Sequence, residues 1–203
     1  MTQTQNPKPN PALRKKQWQV LLPLGIGSIL ALAGDLTLYA ALPAYAAGRS
    51  FDLAMVGLLL SANRLVRLAS NPLAGLLLAG APRRGFVLAG LGMGSLSTLL
   101  YVLAGDSGLF LAGRLLWGVS WSLINIGGYC MMLDITGDGD RGWGSGIVQG
   151  FFFAGLALDP LLGGLLSDWL GFTQALAVCA GLSAGGFFIA LFGLPETLPA
   201  GQA

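Results

Sequence analysis

Long apolar segments separated by short polar connections dominate this chain. A membrane-spanning helix needs about 20 mostly apolar residues, and six segments reach that length. They lie at about 19–46, 53–79, 85–104, 108–133, 143–166 and 171–194. Because the connections are short, we expect one compact bundle of six transmembrane helices over residues 19–194, with polar tails at 1–18 and 195–203.

The composition agrees with this pattern. Of the 203 residues 54% are hydrophobic and only 10% are charged, and the mean hydropathy is +0.71. Soluble domains carry about a quarter charged residues, so we predict an all-α integral membrane protein in a lipid bilayer. A net charge of +2, without a stripe of basic and aromatic residues, argues against a nucleic-acid partner.

The basic residues predict the orientation of the chain. Cytoplasmic connections carry an excess of Lys and Arg. With a cytoplasmic N-terminus only Arg49 lies outside, whereas seven basic residues lie inside: Lys8, Arg14, Lys15, Lys16, Arg83, Arg84 and Arg141. We therefore expect a multi-pass protein of the inner or plasma membrane with both termini in the cytoplasm.

A short motif recurs in two of the apolar segments. NPLAG at 71–75 lies in the second segment, and DPLLG at 159–163 lies in the fifth. The offset of 88 residues corresponds to three spans, so the two copies run in opposite directions. Inverted-topology repeats are typical of secondary transporters. The pattern favours a 3+3 inverted repeat, with chance recurrence of common residues as the alternative.

Charged residues lie within the segments at Asp35, Arg64, Arg67, Arg114 and Asp159, where charge is costly and commonly functional. A rise of about 1.5 Å per residue places Asp35 and Asp159 about 25 and 24 Å from the inner ends of their segments. Arg114 lies about 9 Å from the outer end of its segment, so pairing is possible. We interpret Asp35 as a proton carrier whose pKa Arg114 biases. A static ion pair is the alternative, and for Asp159 both interpretations stand equally.

Further polar residues predict a cavity. Asn63, Arg67 and Asn71 recur at helical spacing on the second segment, with Arg64 beside them. We expect these four residues and Asn125 to line a path for solute. Arg64 and Arg67 could select an anionic substrate, which the sequence leaves open.

Enzymatic chemistry has little support in the sequence. The chain has no histidine, which removes the usual base for a serine nucleophile. Gly137, Gly139 and Gly142 match a dinucleotide fingerprint, but no strand precedes them. Cys130 and Cys179 lie in apolar runs typical of small core residues. We expect neither an enzyme nor a cofactor or metal site.

Together these segments resemble the N-terminal half of a transporter of the major facilitator superfamily over residues 15–198. The fifth segment is similar to the drug:proton antiporter motif G-x8-G-x3-G-P-x2-G-G, with aspartate in place of the third glycine. The matching residues are Gly146, Gly155, Asp159, Pro160, Gly163 and Gly164. The resemblance implies helix bending and close helix contact at this motif.

Other matches are shorter. Arg114 and Gly118 resemble the R-x-x-x-G motif associated with proton coupling. The sequence GDLTLYAALP around Asp35 resembles the superfamily's first span, and LPET at 194–197 resembles the end of its sixth. The loop GLLLAGAPRRG resembles the superfamily's gating loop, although Ala79 replaces its acidic residue and Pro82 its second glycine. The residues that match this loop are Gly75, Leu77, Arg83 and Arg84.

The resemblance implies half of a secondary active carrier that exports or takes up a small solute with protons by alternating access. A single bundle would expose its polar stripe to lipid. We therefore expect a second six-helix half, as a homodimer or a separate chain. The alternative is a non-transporting module, either truncated or an interaction subunit of the membrane.

Overall fold

Six α-helices make up a computed structural model that describes residues 11–47 and 53–198. They are α1 (Pro11–Ala47), α2 (Leu53–Leu78), α3 (Arg83–Leu103), α4 (Ser107–Ile135), α5 (Arg141–Leu170) and α6 (Phe172–Gly193). Each predicted span corresponds to one helix, which confirms the all-α architecture. Residues 11–18 of the predicted N-terminal tail form the start of α1. Residues 1–10 and 199–203 of the predicted tails lie outside the described part.

All helices except α2 are long and apolar enough, among the described residues, to cross a membrane by their own composition. The 26 residues of α2 are long enough, at about 39 Å. However, two asparagines and two arginines lower its hydropathy. Asn63 is buried in the bundle and Arg64 is exposed, so α2 needs protein or water on its polar face.

The helix contacts have the symmetry of an inverted repeat. Helix α1 packs mainly on α5 and α6, α4 packs mainly on α2 and α3, and α3 packs on α6. Exchanging α1, α2 and α3 for α4, α5 and α6 reproduces this set of main contacts. The two halves also run in opposite directions, because equivalent helices are three positions apart in the chain and an odd offset reverses the direction of a span. The predicted 3+3 inverted repeat is thus present in the fold.

A pair of serines locates the axis of this symmetry. Ser95 in α3 and Ser183 in α6 are 88 residues apart, the same offset as between the two copies of the repeated motif, and their hydroxyl oxygens lie 3.2 Å apart. Equivalent residues of two repeats lie at equal distances from the axis that relates them. A direct contact between equivalents therefore places the axis between α3 and α6 at these serines.

Glycines allow the closest helix approaches, since lipid offers no hydrophobic drive for association. A Cβ atom on Gly27 of α1 would lie 3.1 Å from the carbonyl oxygen of Gly186, and one on Gly94 of α3 would lie 2.8 Å from the Trp117 ring. Gly146 and Gly150 have the small-xxx-small spacing typical of close helix contacts, yet no described atom lies within 4 Å of a Cβ at either position. Glycine spacing alone does not report which face of a helix meets a neighbour.

Adjacent glycines in α5 offer a matched test of this packing. A Cβ on Gly163 would lie 2.8 Å from the Cα of Thr37, whereas one on Gly164 meets no described atom within 4 Å. Gly163→Ala should lower the free energy of unfolding by about 1–3 kcal/mol through overpacking, and Gly164→Ala should not lower it. Thermal unfolding in detergent measures both. Because the two substitutions gain similar helix propensity, equal melting temperatures would refute the contact.

Candidate functional site

An ion pair in the interior joins α1 to α4. Asp35 of α1 is 4% exposed and Arg114 of α4 is 0% exposed. The Arg114 Nη1 donates to Oδ1 of Asp35, and Nδ2 of Asn63 donates to the same oxygen at 3.3 Å. The two charges whose depths allowed pairing are therefore in contact, and Asn63 of α2 supports the carboxylate.

The rest of the Arg114 guanidinium binds α2 and Tyr39. Its Nε donates to the Leu59 carbonyl at 2.7 Å, and its Nη2 donates to the Leu60 carbonyl at 3.1 Å and to the Tyr39 hydroxyl at 2.8 Å. The Tyr39 hydroxyl in turn donates to the Leu60 carbonyl at 2.9 Å. Each nitrogen of the planar fork has a partner, an arrangement that the single ammonium of lysine does not reproduce.

A cavity of about 340 Å³ opens beside this ion pair. Exposed Arg64, Gln149 and Phe153 are part of its wall, so it reaches the surface of the bundle. Asp35 lines the cavity directly, whereas Arg114 lies behind Asp35 and is not part of the cavity wall. The wall is mainly apolar and aromatic, and its members are Leu32, Asp35, Leu36, Tyr39, Arg64, Arg67, Trp121, Asn125, Tyr129, Gln149, Phe152, Phe153 and Leu156.

Two arginines of this wall pack on aromatic rings. The Arg67 guanidinium lies 5.4 Å from the Trp121 ring centre, and that of Arg64 lies 5.6 Å from the Tyr39 ring centre. Both distances suit cation–π contact. Among the described residues neither arginine pairs with a carboxylate, and the buried Nε of Arg67 has no hydrogen-bond partner.

The predicted cavity residues divide between two environments. Arg64, Arg67 and Asn125 line the cavity, but Asn63 and Asn71 are not part of its wall. Asn63 supports Asp35 instead, and the buried Oδ1 of Asn71 has no hydrogen-bond partner among the described residues. Sequence reasoning missed Gln149 and Phe152, which belong to α5 and carry no signal beyond ordinary helix residues.

Asp159 does not join the Asp35–Arg114 pair. It is 5% exposed, and its Oδ2 has no hydrogen-bond partner among the described residues. It lies near Gly155, where a Cβ atom would sit 2.9 Å from Leu32 of α1 and 3.3 Å from this oxygen. A similar depth in the membrane therefore did not bring all three charges together.

Residues 24–203 match the family model described as Major Facilitator Superfamily. The chain belongs to the major facilitator superfamily. The predicted resemblance is thereby confirmed, and the protein is a member of a family of transporters and not of enzymes.

Curated relatives of this superfamily protein include vesicular transporters. The mouse synaptic vesicular amine transporter is 31% identical over 131 residues, covering 63% of this chain and 25% of the relative. The human protein of that name is 30% identical with the same coverage. The mouse vesicular acetylcholine transporter is 27% identical over 129 residues, covering 63% and 24%. The chain thus aligns with about a quarter of the length of these relatives.

A solved transporter shares the fold. The crystal structure of the human organic anion transporter MFSD10 (TETRAN) superposes with a TM-score of 0.77 at 21% identity. The superposition covers 92% of this chain and 49% of that one, so one half of the solved transporter corresponds to these six helices.

The superfamily motif in α5 divides between two faces of the helix. Gly155 and Gly163 are buried against α1, whereas at Gly146 and Gly164 a Cβ would meet no described atom within 4 Å. Pro160 lies inside α5, which remains helical on both sides of it. Close contact is therefore confined to half of the motif's glycines.

The predicted gating loop binds the ends of two other helices. Arg83 forms an ion pair with Asp134 of α4 at 3.5 Å, so a carboxylate from another helix takes the place of the one missing at Ala79. The backbone N–H groups of Arg83 and Arg84 donate to Glu196 at 3.0 and 3.1 Å. Gly75, which also matches the predicted gating loop, takes no part in these contacts, and a Cβ there would meet no described atom within 4 Å.

Arg84 also caps the end of α6. Its guanidinium donates to the carbonyl oxygens of Leu191 and Leu194, each at 2.7 Å. A cation at a helix C-terminus satisfies orphan carbonyls and complements the helix dipole. The loop after α2 and the chain after α6 are therefore joined at one end of the bundle.

Removing Arg114 should strongly destabilise the protein. Arg114→Ala leaves Asp35 buried without its cation, a change that costs about 3–5 kcal/mol of unfolding free energy. Arg141→Ala is the control, because Arg141 pairs with Asp138 at the surface, with exposures of 57% and 91%. Such pairs contribute about 0–1 kcal/mol. Thermal unfolding in detergent compares the variants, and similar losses for both would contradict the structural role of Arg114.

Glu196 should make the loop contact pH-dependent. Burial opposes its ionisation, but hydrogen bonds from the backbone N–H groups of Leu198, Thr197, Arg84 and Arg83 hold its pKa below the ordinary 4.5. The stabilisation is therefore present above about pH 4.5 and is lost as the pH falls through the lower folded-state pKa. Melting curves of wild type and Glu196→Gln should differ at neutral pH and converge in acid. A constant difference at every pH would show that this carboxylate does not contribute through its charge.

Proposed function

We propose that the protein is half of a proton-coupled secondary transporter that carries a small solute by alternating access. The observation that carries the proposal is the buried Asp35–Arg114 pair, whose carboxylate lines an open cavity within the bundle. Intramembrane charges at a cavity are typical of proton and substrate pathways. Rocking of bundles around such a site is the usual mechanism of superfamily carriers.

The geometry supports a role for Asp35 as the proton carrier. Its carboxylate faces the cavity, from which water can deliver a proton. Protonation would cancel its charge attraction to Arg114, whose remaining hydrogen bonds run to the Leu59 and Leu60 carbonyls of α2 and to the neutral Tyr39 hydroxyl of α1. The contact between α1 and α4 would weaken, while that between α4 and α2 would persist. Proton binding would thus favour movement of α1 relative to the α2–α4 pair.

We infer that a second six-helix unit covers the cavity, as a homodimer or a separate chain. Gly57 and Gly75 of α2 and Gly146, Gly150 and Gly164 of α5 have no described atom within 4 Å of a Cβ position. Arg64 on the same open side would be costly in lipid. The relatives are also much longer than their aligned regions. Native mass spectrometry of gently extracted protein should find this unit, whereas a lone monomer would favour the non-transporting module.

We also propose that both chain ends of the bundle face the cytoplasm. Arg14 pairs with Asp140 at 3.3 Å, and Glu196 binds the backbone of Arg83. The start of α1, the loops after α2 and α4 and the chain after α6 therefore lie at one end. That end carries the basic connections, which supports a cytoplasmic location in the inner or plasma membrane.

Replacing Asp35 should uncouple transport. In proteoliposomes with an imposed pH gradient, Asp35→Asn should reduce solute-dependent proton flux at least about tenfold, because the amide cannot exchange a proton. Asp138→Asn is the matched control, since its side chain is 91% exposed, and should retain wild-type flux. A pH-sensitive dye inside the vesicles measures the flux. Unchanged flux in a folded Asp35→Asn protein would overturn the assignment.

A further inference from the structure

Resting on the proposed function, we propose that the cavity binds an organic anion and that this anion binds cooperatively with the proton on Asp35. Among the described residues the wall carries three charged side chains, Asp35, Arg64 and Arg67. Arg114 balances the charge of Asp35 from behind, whereas Arg64 and Arg67 have no carboxylate partner among the described residues. The surface offered to a solute is therefore positively charged.

The arrangement of the two arginines suits an anionic group. Each guanidinium packs on a ring, Arg67 on Trp121 and Arg64 on Tyr39, which restricts its orientation before a ligand arrives. A planar fork of N–H donors matches a carboxylate or sulfonate, and the side chains of Arg64 and Arg67 both line the cavity. An ammonium would meet two like charges, and the carboxylate of this wall is already paired.

The rest of the wall defines the body of the ligand. Trp121, Tyr129 and Phe152 form an aromatic surface, and Leu32 and Leu36 extend it with aliphatic carbon. A volume of about 340 Å³ lies within the range of small-molecule pockets. The solute class is therefore a compact organic acid with an apolar, partly aromatic body. The relatives named for amines and acetylcholine would instead suggest a cation.

Protonation of Asp35 should strengthen binding of such an anion. The charged and titratable groups around Asp35 are Tyr39 on α1, Arg64 and Arg67 on α2, Tyr101 on α3 and Arg114 on α4. Neutralising Asp35 raises the net charge of this group by one, which attracts an anion and repels a cation. By thermodynamic reciprocity the bound anion also favours the proton. Anion and proton would thus bind together, whereas a cationic solute would compete with the proton.

Equilibrium dialysis of the detergent-purified full chain, together with any partner that co-purifies, tests the ligand class. The probes are 2-naphthoate, benzoate and 4-phenylbutyrate, each with its neutral amide and its corresponding primary ammonium compound, and protein-free micelles correct for partitioning. At least one acid should bind at least about tenfold more tightly than its amide and ammonium analogues. Ammonium compounds that bind as tightly as the acids, or no saturable binding of any acid, would overturn the proposal.

Substitutions of the two cavity arginines test where the acid binds. Arg64→Gln and Arg67→Gln should each weaken binding of the acid at least about tenfold, while Arg141→Gln, outside the cavity, should leave it unchanged. Melting temperatures equal to wild type confirm that the variants are folded. Retained affinity in both cavity variants would overturn the site.

The pH dependence separates this inference from the proposed function. Affinity for the acid, which stays ionised near neutral pH, should rise as the pH falls. Asp35→Asn should bind it tightly at every pH. Affinity that falls on acidification would overturn the cooperativity. Proton flux that depends on Asp35 but is driven by an ammonium solute would leave the proposed function standing and refute the anion site. Anion binding without proton flux would leave the anion site standing and refute the proposed function.

Discussion

The buried Asp35–Arg114 pair is the interaction on which the arrangement of the bundle depends. Two charges removed from water are tolerated only when their remaining hydrogen-bonding groups are satisfied. Asn63, Tyr39 and two carbonyls of α2 meet that requirement. Because these partners come from α1, α2 and α4, the pair sets how three helices lie relative to one another.

The cavity follows from this arrangement. Asp35 can face open space because Arg114 holds it from the opposite side, inside the protein. Arg64 and Arg67 follow on the same helix that supplies the carbonyls for Arg114, and both line the cavity beside the pair. Within the described part of the chain neither has a carboxylate partner. The charge of the site thus results from one carboxylate whose charge is already balanced and two arginines whose charge is not. Helix α5 completes the wall with uncharged side chains.

The inverted repeat explains the packing and also its asymmetry. Ser95 and Ser183 meet at the axis that relates the two halves, and the main helix contacts obey the same symmetry. The charges do not obey it: Asn71 and Asp159 occupy equivalent positions, and each has a buried oxygen without a hydrogen-bond partner among the described residues. The architecture is therefore shared between the halves, whereas the ion pair and the cavity arginines occur once each in the described bundle.

The sequence by itself determined the number of helices, their membrane character, the inverted repeat and the superfamily. These properties depend on hydropathy, residue spacing and short motifs, which can be read from the order of residues along the chain. It also placed Asp35 and Arg114 at depths that allowed pairing. Only the tertiary structure decided which face of each helix meets a neighbour, because that depends on the rotation and contacts of several helices at once. The rotation of the helices leaves Asp159 out of contact with Arg114. It also decides that Gly163 but not Gly164 meets a neighbouring helix, and that Arg64 but not Asn63 lines the cavity. The binding of Glu196 to the loop at Arg83 likewise joins residues 113 positions apart, a distance over which no local pattern extends.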